Sequence, residues 1–171
     1  MIQFTCCFTG HRPEKLFDQY DEAEIYNRIV YALENAILDG YKTFLCGGSR
    51  GADFLFAEAV IALKATHPDI RLEFMLPCRN QSELWSREDR DRYSNLLELG
   101  DSVFCLSDKY SNGCMQYRNR VMVERSSLLI AAWNGTEGGT EYTYKYAKKR
   151  KLRIVDIIDR LPEETDQLSF L

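Results

Sequence analysis

The sequence lacks the features that mark membrane, secreted and metal-binding chains. Its longest strictly apolar run, Leu128 to Trp133, has six residues, whereas a membrane-spanning helix needs about 20. The opening residues, Met1-Ile2-Gln3-Phe4-Thr5, contain no basic stretch followed by an apolar one, the pattern of a secretory signal. A cytoplasmic protein with no membrane partner is expected. There are six cysteines but no CxxC spacing, and only two histidines. A structural zinc site needs clustered Cys and His ligands, so no metal site is expected. Cys6, Cys7, Cys46 and Cys105 fall in apolar, strand-like segments and read as buried reduced thiols. Excess positive charge is also missing, since the formal net charge is −4. Whole-chain attraction to nucleic acid or anionic lipid is therefore absent, and nucleic acid is not the expected partner. The one basic cluster, Lys148-Lys149-Arg150-Lys151, follows a helical segment, where cations suit the negative end of the dipole.

What is present is an ordinary globular chain of 171 residues, 45% apolar and 28% charged. Residues 1–160 read as one domain and 161–171 as a polar tail, with no repeat, linker or low-complexity stretch. Strand-like and helical segments alternate. Strands are expected at Phe4–Thr9, Thr43–Cys46, Leu72–Leu76, Ser102–Leu106, Leu128–Ala132 and Arg153–Ile158. Helices are expected at 21–39, where Ile25, Ile29, Leu33 and Ile37 share a face, at Ala52–Thr66, Ser86–Leu99, Met115–Ser126 and Glu141–Lys149. Apolar strands alternating with helices imply a Rossmann-like three-layer α/β/α fold, its sheet mostly parallel and of about six strands.

The unusual residues begin where strands end. Gly10-His11-Arg12-Pro13, Gly47-Gly48-Ser49-Arg50-Gly51-Ala52-Asp53 and Asn134 to Thr140 each follow a predicted strand. In a parallel sheet those ends share one edge, where ligands bind. The second segment joins a strand to a helix. Glycines there let backbone approach a phosphate, and the helix start favours an anion. The bland alternative is a tight turn with Asp53 helping to cap the helix. It matches neither the spaced-glycine dinucleotide fingerprint nor the P-loop. Gly138-Gly139-Thr140 offers a second such turn, bordered by Asn134 and Glu137. His11 and Arg12 add donors at the first strand end. In the helix from Met115, Arg118 shares a face with Met122 and Arg125, so it lies near the core boundary and wants an anion or an acidic partner such as Glu124 or Glu141. Tyr142, Tyr144 and Tyr146 alternate on a helix and read as core and surface residues pointing different ways.

These segments together resemble the YpsA-type family, a branch of the SLOG superfamily named for the DNA-processing protein Smf/DprA and the Lonely guy phosphoribohydrolases. The resemblance runs over residues 4–158. It implies a pocket for a nucleotide or an ADP-ribose-like ligand, with no cofactor established. The YpsA-type family has been linked to cell division in Gram-positive bacteria. The phosphoribohydrolases carry Met-x-x-Arg-x-x-x-Met with a catalytic arginine, matched here by Met115, Arg118 and Met122. Their Gly-Gly-x-Gly-Thr-x-x-Glu ends in a catalytic glutamate, but here the position three after Thr140 is Thr143, with Glu141 the nearest carboxylate. The expected function is a sensor or regulator binding its ligand through Gly10, His11, Arg12, Gly47, Gly48, Ser49, Gly51, Ala52, Asp53, Arg118, Asn134, Gly138, Gly139 and Thr140. A nucleotide N-glycosidase using Arg118 with Glu141 is the first alternative, and a single-stranded nucleic-acid module the second. Protein partners and homodimerisation stay open.

Overall fold

The computed structural model describes residues 2–161, so the expected polar tail lies outside the described residues apart from Leu161. After a 3-10 turn at Ile2–Phe4, the elements are β1 (Thr5–Gly10), α1 (Pro13–Leu16), α2 (Glu22–Leu38), β2 (Thr43–Cys46), α3 (Ala52–Leu63), β3 (Arg71–Leu76), α4 (Arg87–Leu99), β4 (Ser102–Cys105), α5 (Cys114–Glu124), β5 (Leu128–Ala132), α6 (Gly139–Lys149) and β6 (Arg153–Asp156). All six strands are parallel, in the order β4-β3-β2-β1-β5-β6. The α/β Rossmann-like fold expected from the alternation is the fold observed.

Local chemistry explains the elements. In α2, Ile25, Ile29, Ala32, Leu33 and Ala36 are buried on one face. The helix ends in a Schellman motif. Gly40 has φ +96°, and the Tyr41 amide donates to the Ala36 carbonyl at 3.0 Å. Ser86 caps α4 by accepting from the Asp89 amide at 3.1 Å. Leu128–Ala132 is buried along its whole length because β5 is central and covered on both faces. Helices α2, α3 and α4 pack side by side on one face, while α5 and α6 pack together on the other. Two segments depart from expectation. Pro13, at the first position of α1, starts a short helix where no helix is expected from the sequence. Cys105 is exposed rather than buried, along with Val103 and Phe104, because β4 is an edge strand.

The chain passes from β1 toward β4 on one side of the sheet and returns to β5 on the other side of β1. That reversal parts the β1 and β5 loops at the carboxyl edge and leaves a crevice between them.

Candidate functional site

The crevice encloses about 480 Å³ and is lined by β1, its following loop, the β2–α3 turn, α5 and the start of α6. Among the sequence-derived candidates, Gly10, His11, Arg12, Ser49, Asp53, Arg118, Gly139 and Thr140 line it. Gly47, Gly48, Gly51, Ala52, Asn134 and Gly138 do not.

Arg118 forms the floor and is 3% exposed, so it is buried rather than at the core boundary. Its Nε donates to Asn119 Oδ1 at 2.7 Å. One terminal nitrogen donates to the Gly47 and Met75 carbonyls, and the other to Ser49 Oγ at 3.4 Å. The charge partner is Asp53, not Glu124 or Glu141. Burial raises the Asp53 carboxyl to about 6, while Arg118 and the Ser49 amide pull it down. The Ser49 amide donates to Asp53 Oδ2 at 3.0 Å. Asp53 thus ties the turn to the floor instead of capping α3, whose cap residue Gly51 has no side-chain bond.

The β2–α3 glycines serve close packing. A methyl on Gly47 would collide with the Arg118 guanidinium, and one on Gly51, where φ is +91°, would lie 2.7 Å from the His11 carbonyl oxygen. The Ala52 amide donates to that same carbonyl at 3.2 Å. With this amide used and the Asp53 carboxylate alongside, the α3 start is poorly suited to a second anion.

The start of α6 differs. Its cap residue Gly138 offers no side-chain bond, and a methyl built on Gly139 meets nothing within 4 Å. The first-turn amides of a helix have no partner within it, and they carry its positive end. Thr140 stands there with the crevice before it, and Lys15 reaches the loop by donating to the Glu137 carbonyl. His11 Nε2 accepts from the Asn134 amide at 3.1 Å, which fixes the tautomer with the proton on Nδ1. Burial first, then Lys15, lowers its pKa to about 4, so the ring is neutral at pH 7. Asn134 is spent on α1 and on its own loop. Its amide nitrogen donates to the Lys15 carbonyl and its oxygen accepts from Thr136.

Glu141 lies outside the crevice, ion-paired with Lys145 in a groove on the outer side of α6. Glu124 accepts from the Tyr146 hydroxyl and is exposed. Thr143 is fully buried and donates to the Gly139 carbonyl at 2.8 Å. Six further residues line the crevice without having been singled out for it: Phe8, Thr9, Glu14, Lys15, Gln116 and Asn119. Glu14 and Lys15 follow Pro13 in α1, and the proline at a helix start was the signal that could have found them. Glu14 pairs with Arg50 at 3.0 Å and is held below the usual carboxylate range by its own backbone and by Arg50. A larger groove, about 1080 Å³, runs between α2 and β6. It lies away from the strand carboxyl ends and is bordered by exposed Tyr31 and Leu38. The convergence of helix amides, a neutral histidine and buried charges favours the smaller crevice.

Comparison with known proteins shows the family and the fold. The YpsA family model, described as the YspA SLOG family, matches residues 6–160. The chain is 33% identical over 152 residues to UPF0398 protein BH1768 of Halalkalibacterium halodurans, covering 84% of this chain and 79% of that protein. It is 28% identical over 142 residues to the SPbeta prophage-derived protein YoqJ of Bacillus subtilis, covering 75% and 83%. Among solved structures it is similar to DNA processing protein A from Streptococcus pneumoniae, with TM-score 0.61 and 14% identity over 90% of this chain. The chain spans 50% of that molecule's length. DNA processing protein A from Helicobacter pylori, described for its single-stranded DNA binding mode, gives TM-score 0.62 and 14% identity, covering 96% of this chain and 68% of that one. At that identity the likeness is one of fold. The family match and the relatives together place this chain in the YpsA family of the SLOG superfamily.

Proposed function

We propose that the crevice binds a nucleotide or nucleotide-derived ligand, with an anionic group at the start of α6, and that the protein acts as a sensor or regulator. The observation that carries this is the α6 start, where Glu141 engages the backbone only at Gly138 and open space lies at Gly139, flanked by Thr140 and Lys15. A phosphate there would accept from helix amides and the Thr140 hydroxyl. The volume suits a small ligand. The His11 Nδ1–H supplies a neutral donor for a sugar or base. Hydrolysis is the weaker reading. Thr143 is turned into the core and Glu141 faces outward, so neither brings a carboxylate over a bound sugar.

The test is a thermal-shift panel of AMP, ADP, ATP, ADP-ribose, NAD and guanine nucleotides, with Gly139→Leu and Lys15→Gln alongside. A ligand at 100 times its Kd stabilises by about 2.7 kcal/mol. That is roughly 5–10 °C for a domain of this size. A shift lost in Gly139→Leu supports the reading, and no shift with any member of the panel removes it. Free base appearing in the same mixtures would move the balance to the N-glycosidase.

A second reading, single-stranded nucleic acid, draws on the likeness to DNA processing protein A and on a charge asymmetry. Residues 115–151 hold eight Lys or Arg against three Glu, and seven against three without buried Arg118, within a chain of net −4.

A further inference from the structure

Most cations on the α2–α4 side are neutralised in place, Arg90 of α4 being an exception among the described residues. Arg28 pairs with Glu24, Lys64 with Asp101, and Arg92 with Glu58 and Glu22. On the α5–α6 side, among the described residues, Arg120 and Lys149 have no ion pair, and neither do Lys148 and Arg150 at the helix end. Lys145 is the exception, through Glu141. The same surface carries aromatic rings in register. Tyr142 and Tyr146, one turn apart on α6, lie with their planes 2° from parallel and centroids 6.3 Å apart. They share a face, contrary to the expectation that the tyrosines diverge. Only Tyr144 turns inward, against Trp133. Across from them Arg120 donates to the Tyr142 hydroxyl at 3.0 Å and lies 5.8 Å from the Tyr117 ring centroid, and Tyr117 is 51% exposed. A shallow groove follows this stripe from Gly138, past Glu141, Tyr142, Lys145 and Tyr146, to Lys149, with Glu141 its one carboxylate and already paired with Lys145.

We infer that this α5–α6 face is a docking surface for a single-stranded nucleic acid, with Tyr142, Tyr146 and Tyr117 stacking on bases and Arg120, Lys145 and Lys149 set along the phosphates. Unpaired Arg120 and Lys149, with Lys145 exchanging Glu141 for a phosphate, supply the complement to a polyanion, and rings at one-turn spacing supply faces for unstacked bases. A duplex keeps its bases stacked and gives the rings nothing to engage. An anionic membrane would engage the cations but has no use for parallel ring faces. The inference deepens the nucleic-acid reading and is independent of the crevice ligand.

The test is fluorescence anisotropy of the full chain with a labelled oligothymidylate, an equivalent duplex and phosphatidylserine vesicles, each at two salt concentrations. The single strand is expected to bind best. Tyr142→Ala with Tyr146→Ala should weaken it by about 10-fold or more, while Tyr142→Phe with Tyr146→Phe should retain most of it. Lys145→Gln with Lys149→Gln should reduce the salt slope by about 1.4, two phosphates at about 0.7 each. All three variants should keep the wild-type melting curve and crevice-ligand response. Absence of single-strand binding overturns the nucleic-acid reading and this surface with it. Binding that is unchanged in the alanine pair overturns the surface alone. Preference for duplex or vesicles overturns the stacking mode.

Discussion

Replacing Arg118 with alanine should cost the fold more than it costs any ligand. The guanidinium is buried, compensates the buried Asp53 carboxylate, and is a donor to the Gly47 and Met75 carbonyls. Its removal leaves an uncompensated charge and two carbonyls short of a donor, while opening a cavity beneath Gly47. Breaking a buried pair in this way costs about 3–5 kcal/mol. At roughly 3 °C per kcal/mol for a chain of this length, the melting point should fall by about 10–15 °C. Urea unfolding followed by circular dichroism measures this directly. The pairing itself is tested by a double-mutant cycle with Arg118→Met and Asp53→Asn. The double variant should lose less than the sum of the singles by about 1–2 kcal/mol. A loss below about 1 kcal/mol for Arg118→Ala, or strict additivity in the cycle, would refute the description of Arg118 as the structural floor. A loss of ligand binding in Arg118→Ala alone would therefore say little about contact.

The opposed pKa shifts predict a pH profile. His11 is lowered from 6.5 to about 4, so its contribution is present above pH 6.5 and is lost as pH falls toward 4. Asp53 is raised from 3.8 to about 6, so its contribution is present below pH 3.8 and is lost as pH rises through 6. Between pH 4.5 and 7 the two offset each other, each by about 2 kcal/mol. Urea unfolding across that range should show His11→Gln gaining stability on acidification relative to wild type, and Asp53→Asn losing it. Gly51→Ala, at φ +91° with the His11 carbonyl 2.7 Å from the new carbon, should lower stability by at least about 2 kcal/mol. Gly139→Leu should stay within about 0.5 kcal/mol of wild type in the same assay, because the space is open. Thr143→Glu should restore no glycosidase activity in a base-release assay and should destabilise the fold by several kcal/mol, since it places a carboxylate in a fully buried position.

The sheet was legible because β1, β2, β3 and β5 are apolar runs between turn residues, and because α2 shows a clean one-face pattern. The edge status of β4 was not, since Val103, Phe104 and Cys105 read the same whether covered or exposed. For the site, the positions of His11, Arg118, Gly139 and Thr140 at one crevice followed from strand ends and helix starts. The division of labour between the two glycine turns did not. Gly47 and Gly51 look like phosphate glycines until the guanidinium and the His11 carbonyl are seen against them. Net charge was silent on local charge for a similar reason. A total of −4 includes a net +5 over residues 115–151, because most of the acids fall elsewhere in the chain. Tyr142 and Tyr146 were separable from Tyr144 only by helical phase, which puts residues four apart on one face.

The most direct test of the crevice account is an amide-resolved NMR titration with AMP and ADP-ribose. The account predicts the largest shifts at the Gly139, Thr140 and Glu141 amides and at His11, with Ala52 and Ser49 little changed because their amides are already bonded. Shifts centred on the α3 start, on the α2–β6 groove, or absent altogether at millimolar ligand would contradict it.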